Sequence, residues 1–177
     1  MKKIGCLLAV LFCLSACREV TDPAAVFDHA LSEAEACEQM RTEMILTDED
    51  GEVLLDQRIE SRQSDGQWQS WQSASDGQMT ELSSTDLLSC LARFDMMVSR
   101  FEVSEMEADT DTIDLSFSIP SSAMTEMTAY FADWFSSPVT HIDGKLIVDK
   151  HWEIQRLDLV LTADQLYTLE IIKEGNS

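Results

Sequence analysis

Positive charge is what this sequence has least of. Among 177 residues there are 12 lysines and arginines against 33 aspartates and glutamates, a formal net charge of -21. A protein that holds nucleic-acid phosphates needs a basic stripe, and twelve scattered cations cannot build one. The same deficit argues against adhesion of the folded surface to an anionic bilayer. Three prolines and six glycines exclude a collagen-like or proline-rich spacer. Motifs that carry chemistry are missing as well. There is no Gly-x-Ser-x-Gly, no Ser-x-x-Lys and no glycine-rich phosphate loop. His29, His141 and His151 are not paired with one another or with cysteine at zinc-ligand spacing, and the Asp48–Gly51 and Asp109–Asp114 segments lack the offsets of a calcium loop. A carboxylate pair could be picked anywhere among 33 acids, so none specifies a glycosidase. Neither an enzyme nor a cofactor is expected.

What is present is a 45% hydrophobic content, enough for a buried core in one domain. Lys2 and Lys3 precede an apolar stretch from Ile4 to Leu14, about ten residues and too short to span a bilayer as a stable helix, which reads as the core of a signal peptide. Leu14-Ser15-Ala16-Cys17 follows. This tetrapeptide resembles the lipobox of bacterial lipoproteins, and the resemblance implies a diacylglycerol thioether on Cys17 after cleavage just before it, with further acylation of the new amine. Arg18 stands where an Asp would favour inner-membrane retention, so the resemblance implies the outer membrane, facing the periplasm. An ordinary secretory signal with a coincidental Cys, or a short anchor helix, is the competing reading. Two or three acyl chains anchor stably, at about 0.8 kcal/mol per buried methylene. The expected layout is a signal peptide over 1–16, a lipidated tether over 17–22 and one domain over 23–173.

Cys6 and Cys13 leave with the signal and Cys17 is lipidated. Cys37 and Cys90 remain, an even pair in an oxidising compartment, for which a disulfide is the expected reading and two buried thiols the alternative. Closing that loop of roughly 54 residues would stabilise by about 4 kcal/mol on the chain-entropy view.

Asp22-Pro23 marks a helix start. Phe27, Ala30, Leu31, Ala34 and Cys37 then recur at helical spacing to about Met40. A hairpin is expected over 42–62, a turn at Ser64-Asp65-Gly66 and a strand through Trp68 and Trp71, whose side chains point to opposite faces. Ser84 or Thr85 opens a second helix with Leu87, Cys90, Leu91, Phe94, Met97 and Val98 on one face. The acidic residues from Glu102 to Asp111 read as a solvated connection, and Ile113 to Ile119 as a half-buried strand. Ser121 or Ser122 caps a third helix carrying Met124, Met127, Phe131 and Trp134. Asp143-Gly144 signals a two-residue hairpin, and two more strands complete the chain. The fold class is α+β: a curved antiparallel sheet of about seven to eight strands packed with three amphipathic helices.

That arrangement resembles the periplasmic lipoprotein-carrier and receptor proteins, which wrap an open half-barrel around helices. The early helix, the Gly51 and Gly66 meander and the late strand series carry the resemblance. It implies a non-catalytic envelope protein that binds a hydrophobic or protein ligand. Met124, Met127, Phe131 and Trp134 could line a pliable pocket for it, or the helix could simply be buried against its sheet. The alternative is an accessory lipoprotein that docks on an envelope complex through its acidic surface, with no pocket. Without the signal the chain has 10 cations and 33 anions, so a protein partner is expected to present a basic patch. Salt would screen that attraction over about 8–10 Å.

Overall fold

In the computed structural model, residues 22–74, 77–94 and 102–174 are described. Twelve elements follow in chain order. They are α1 (Pro23–Ala36), β1 (Gln39–Asp48), β2 (Val53–Ser64), β3 (Gln67–Ser73), β4 (Met79–Leu82), α2 (Leu87–Ala92), β5 (Glu102–Ala108), β6 (Thr112–Ser118), α3 (Ser121–Tyr130), β7 (His141–Asp149), β8 (Ile154–Thr162) and β9 (Leu166–Lys173). The strands form one open antiparallel sheet in the order β4-β3-β2-β1-β9-β8-β7-β6-β5, so the first and last strands meet in its middle. Register shifts at Leu46/Thr47, Val103/Glu105 and Ile147/Val148 are bulges that bend and twist their strands, which curves the sheet.

Period-two alternation places one face of every central strand inward. The row Leu55, Leu46, Leu169, Leu159, Gly144 and Phe117 crosses six strands through paired positions. The row above it is Gln57, Met44, Ile171, Leu157, Leu146 and Leu115. α1 lies over β5 and β8 and buries Val26, Phe27, Ala30, Leu31 and Ala34. Its Phe27 ring meets Phe117 edge-on at 6.0 Å. Asp22 caps it as expected, accepting from the Ala24 amide at 3.1 Å. α2 lies over β1 and β2 and is capped by Asp86 rather than Ser84 or Thr85.

The outward face is a lattice of opposite charges, among them Arg58 with Glu43 and Glu174, Arg41 with Glu60, Lys145 with Asp114, and Arg156 with Asp158 and Glu170. Exposed pairs of this kind contribute about 0–1 kcal/mol each.

Several expectations are corrected. Asp143-Gly144 is no hairpin but the interior of β7. An ideal Cβ on Gly144 would lie 2.1 Å from the Phe117 ring, so the glycine is there to make room for an aromatic across the strand pair, not to turn the chain. The supposed solvated connection contains the edge strand β5, whose Glu102, Glu105 and Glu107 are exposed and discourage further strand addition. β4 was hidden in a polar segment. With these changes the count rises from eight strands to nine. Met40 belongs to β1, not α1. α2 stops at Ala92, and Met97 and Val98 lie outside the described residues. The Asp65-Gly66 turn holds, with φ of 54° and 74°, the two positive values that a type I′ hairpin needs.

Candidate functional site

The interior is sealed unevenly. Under α1 the core is closed: Val26, Ala30, Leu115, Val148, Leu159 and Leu169 are fully buried. A cleft at the upper end of the sheet, lined by Cys37, Met40, Phe94 and Ile154 among others, measures only about 40 Å³, room for a water or so. Elsewhere partly exposed apolar side chains pack against the core: Leu82 on β4, in register with Ser70 and Ser61, and Leu87 and Leu88 on α2; Leu55 on β2, six residues along the strand from Ser61; and Met124 on α3 with Trp134 beyond it.

The sequence-predicted ligand residues divide among these surroundings. Met124 is half-buried on α3 and Trp134 half-buried in the following turn, while Phe131 is 1% exposed and belongs to the core. The Met127 side chain lies outside the described residues. The expected helical stripe therefore breaks: α3 ends at Tyr130 and Phe131 is its C-cap. Pro120, not a serine, occupies the N-cap, without a side-chain capping bond. In place of a stripe there is an aromatic cluster. Phe131 meets Trp134 edge-on at 5.7 Å, and the Phe135 ring lies 4.3 Å from Tyr167 on β9. Thr128 ties the helix down, its hydroxyl lying 2.8 Å from both the Met124 and Val139 carbonyl oxygens. Tyr167 pairs with Asp48 on β1, one step below the Leu46–Leu55 pair. The aromatic cluster and Leu55 thus stand on either side of β1, about two strand spacings or 10 Å apart. Burial raises the Tyr167 phenol above its ordinary pKa, and its hydroxyl, which donates to Asp164 at 3.0 Å, adds to the effect.

The wall under α2 is polar. Ser61, Ser70 and Ser89 are fully buried, and their hydroxyls form a chain of 2.8 Å contacts joining β2, β3 and α2. Small side chains on both surfaces let the helix backbone approach the sheet closely. Beside them the Arg93 guanidinium, 7% exposed, lies 5.9 Å above the Trp68 ring and donates to the Ser84 carbonyl at 3.0 Å. Gln72 donates to Gln57 at 2.6 Å across the same face. Sequence reasoning missed this cluster, because inward positions occupied by Ser and Gln leave no hydrophobic alternation to read. Trp71, by contrast, points outward opposite Trp68, as the strand period required.

The expected Cys37–Cys90 bridge is not formed. The Cys37 thiol, at the end of α1, contacts the Glu33 carbonyl at 3.5 Å. Cys90 turns back toward the start of α2, 3.6 Å from the Ser84 carbonyl and 3.7 Å from the Arg93 guanidinium. The core-facing residues of α2 are Ser89, Leu91 and Ala92, so Cys90 is off the stripe that was to carry it toward α1. Cys17 and the rest of the lipobox lie outside the described residues. Among the described residues no group of His, Cys, Asp and Glu could hold a metal ion, and no helix is long and apolar enough to cross a membrane.

A nine-stranded open antiparallel sheet with helices on its inner face defines a class of fold. The chain shares it with the lipoprotein LppX of Mycobacterium tuberculosis, at a TM-score of 0.52, 10% identity and coverage of 86% of this chain and 93% of that one. LprF from Mycobacterium bovis has the same TM-score at 8% identity, with 86% and 91% covered. At such identities the likeness is one of fold. No protein-family profile matches the chain, and no curated protein sequence does.

Proposed function

We propose that this chain is a non-catalytic envelope lipoprotein, tethered by lipid on Cys17 to the outer membrane facing the periplasm, that binds a hydrophobic ligand between its sheet and helices. One observation carries the reading. A leucine-rich inner row runs across six strands and ends at Leu55, which stays partly exposed, as do Met124 on α3 and Trp134 beyond it. The fold shared with LppX, itself a lipoprotein, supports the reading. Partly exposed apolar side chains continuous with a leucine-lined core would take an acyl or similar chain.

Purification from envelopes with the anchor intact, followed by mass spectrometry of the extracted lipid, tests it. A lipid recovered in near-stoichiometric amount from wild type and lost from Trp134→Ala and Met124→Glu is the expected result. Wild type that carries no more lipid than those variants would overturn it.

A second reading is favoured by the closed core under α1 and the cleft of about 40 Å³: an accessory lipoprotein that docks on an envelope protein through its surface, with no ligand inside.

A further inference from the structure

Five large apolar side chains are prominently exposed among the described residues, and four of them share one end of the outer face: Val53 and Leu54 on β2, Val160 on β8 and Leu166 on β9. Single exposed aliphatics need no explanation, but a cluster does. Strand register makes these four neighbours. Val53 opposes Thr47 on β1, Thr47 opposes Thr168 on β9, and Thr168 opposes Val160 on β8. Leu166 lies one pleat below Thr168, diagonal to Val160. The bulge at Leu46/Thr47 adds Leu54 beside Val53. The result is an uncharged strip of aliphatics and threonines about three strand spacings, or 14 Å, across.

Carboxylates surround it. The next row up carries Asp56, Glu170 and Asp158, with only Ile45 between the first two. Asp143 opposes Val160 on the β7 side, and the Asp48–Glu52 turn borders Val53 below. Arg156, through Asp158 and Glu170, and Lys145, opposite Asp158, offset part of this charge. An apolar centre inside a charged rim is the anatomy of a protein interface, where the centre gives affinity and the rim gives rate and specificity.

We propose that this strip is a docking surface for a basic protein, one whose apolar contact patch is ringed by lysines and arginines. Charge complementarity selects that occupant. An anionic bilayer is repelled by the rim, and a second copy of a chain with a net charge of -21 would bring carboxylates against carboxylates. The inference rests on the docking reading and is independent of ligand carriage.

The test places a photo-crosslinking amino acid at Leu54, Val160 or Leu166 in the full lipidated chain in its own envelope, with exposed Gln69, Glu105 and Lys150 as controls. Adducts to one protein from the three strip positions and not the controls are expected. With that protein purified, Val160→Glu and Leu166→Glu should each weaken binding at least tenfold. Asp56→Lys and Asp143→Lys should slow association and flatten its salt dependence. All four substitutions are at exposed positions, and unchanged thermal melting confirms the fold. Adducts from the controls alone would overturn this surface while sparing the docking reading, and absence of protein adducts everywhere would remove both. Adducts to lipid, to a second copy of the chain, or to a partner whose association ignores salt would also sink the proposal.

Discussion

The two wings of the sheet are held by different chemistry. From β6 to β9 the inward positions include Leu115, Phe117, Leu146, Leu157, Leu159 and Leu169, all nearly or fully buried. From β2 to β3 they are Gln57, Ile59, Ser61, Ser70 and Gln72, and three hydroxyls do what leucines do elsewhere. The first wing is stabilised by volume, since burying apolar area contributes about 25 cal/mol per Å². The second is stabilised by hydrogen bonds, each worth only about 1 kcal/mol net but costly if half of a pair is removed. A sheet built this way should open from the β4 edge inward, because local opening begins where buried apolar contact is least.

Substitutions can break or sharpen that contrast. The largest effect is expected in the leucine wing: Leu159→Ala should cost about 2–5 kcal/mol in denaturant unfolding, through lost burial and the cavity left behind. Gly144→Ala should cost about 1–3 kcal/mol by forcing a methyl into the Phe117 ring, and Phe117→Leu in the same chain should recover part of the loss. In the polar wing the signature is non-additivity. Ser70→Ala alone should cost about 1–2 kcal/mol, because it strands the Ser61 and Ser89 hydroxyls, whereas replacing all three serines by alanine should cost less than that single change. Additive losses across the three would show that the hydroxyl chain is incidental.

The smallest expected effect is alkaline. Asp114 accepts from the Lys145 ammonium at 2.6 Å and raises its pKa above the ordinary 10.5. Burial, then the bond to Asp164, raises Tyr167 above 10.0. In both cases the folded state holds its proton more tightly than the unfolded chain. Their contribution is therefore complete below about pH 10 and is lost as pH climbs through the folded values. Unfolding midpoints should drop modestly as pH rises above about 10, and less so in Tyr167→Phe, which removes one of the two groups.

Much of the leucine wing was legible beforehand. Strict alternation from Ile113 to Ile119 and the helical spacing of Phe27, Ala30, Leu31 and Ala34 report burial directly, so β6 and α1 were placed well. In the polar wing the hairpin over 42–62 and the strand through Trp68 and Trp71 were legible, but not what packs on their inner face. Its inward serines look like surface residues, and β4 and β5 carry the composition of loops because an edge strand is half solvated. Gly144 misled for a related reason: the sequence shows that a side chain is missing, not whether the backbone turns or a neighbour fills the gap. Of the candidate site, Met124 and Trp134 were found by chemistry. Leu55, Leu82, Leu87 and Leu88 were not, since their partial exposure depends on which strands and helices lie beside them. The strip of Val53, Leu54, Val160 and Leu166 was hidden in the same way, assembled from segments more than a hundred residues apart.

That strand order has a consequence in time. β1 has β2 beside it within a few residues, but its other edge waits for β9, roughly 125 residues later along the chain. Loop entropy alone makes so distant a pairing only modestly harder, but contacts of such separation slow the search for the native state. Until the last strand arrives the nascent wings are two separate meanders, each with an uncovered inner edge, and open strand edges invite association with other chains. Joining β1 to β9 is thus the step that makes one molecule out of two half-sheets, and the final residues of β9 commit the whole chain to its fold.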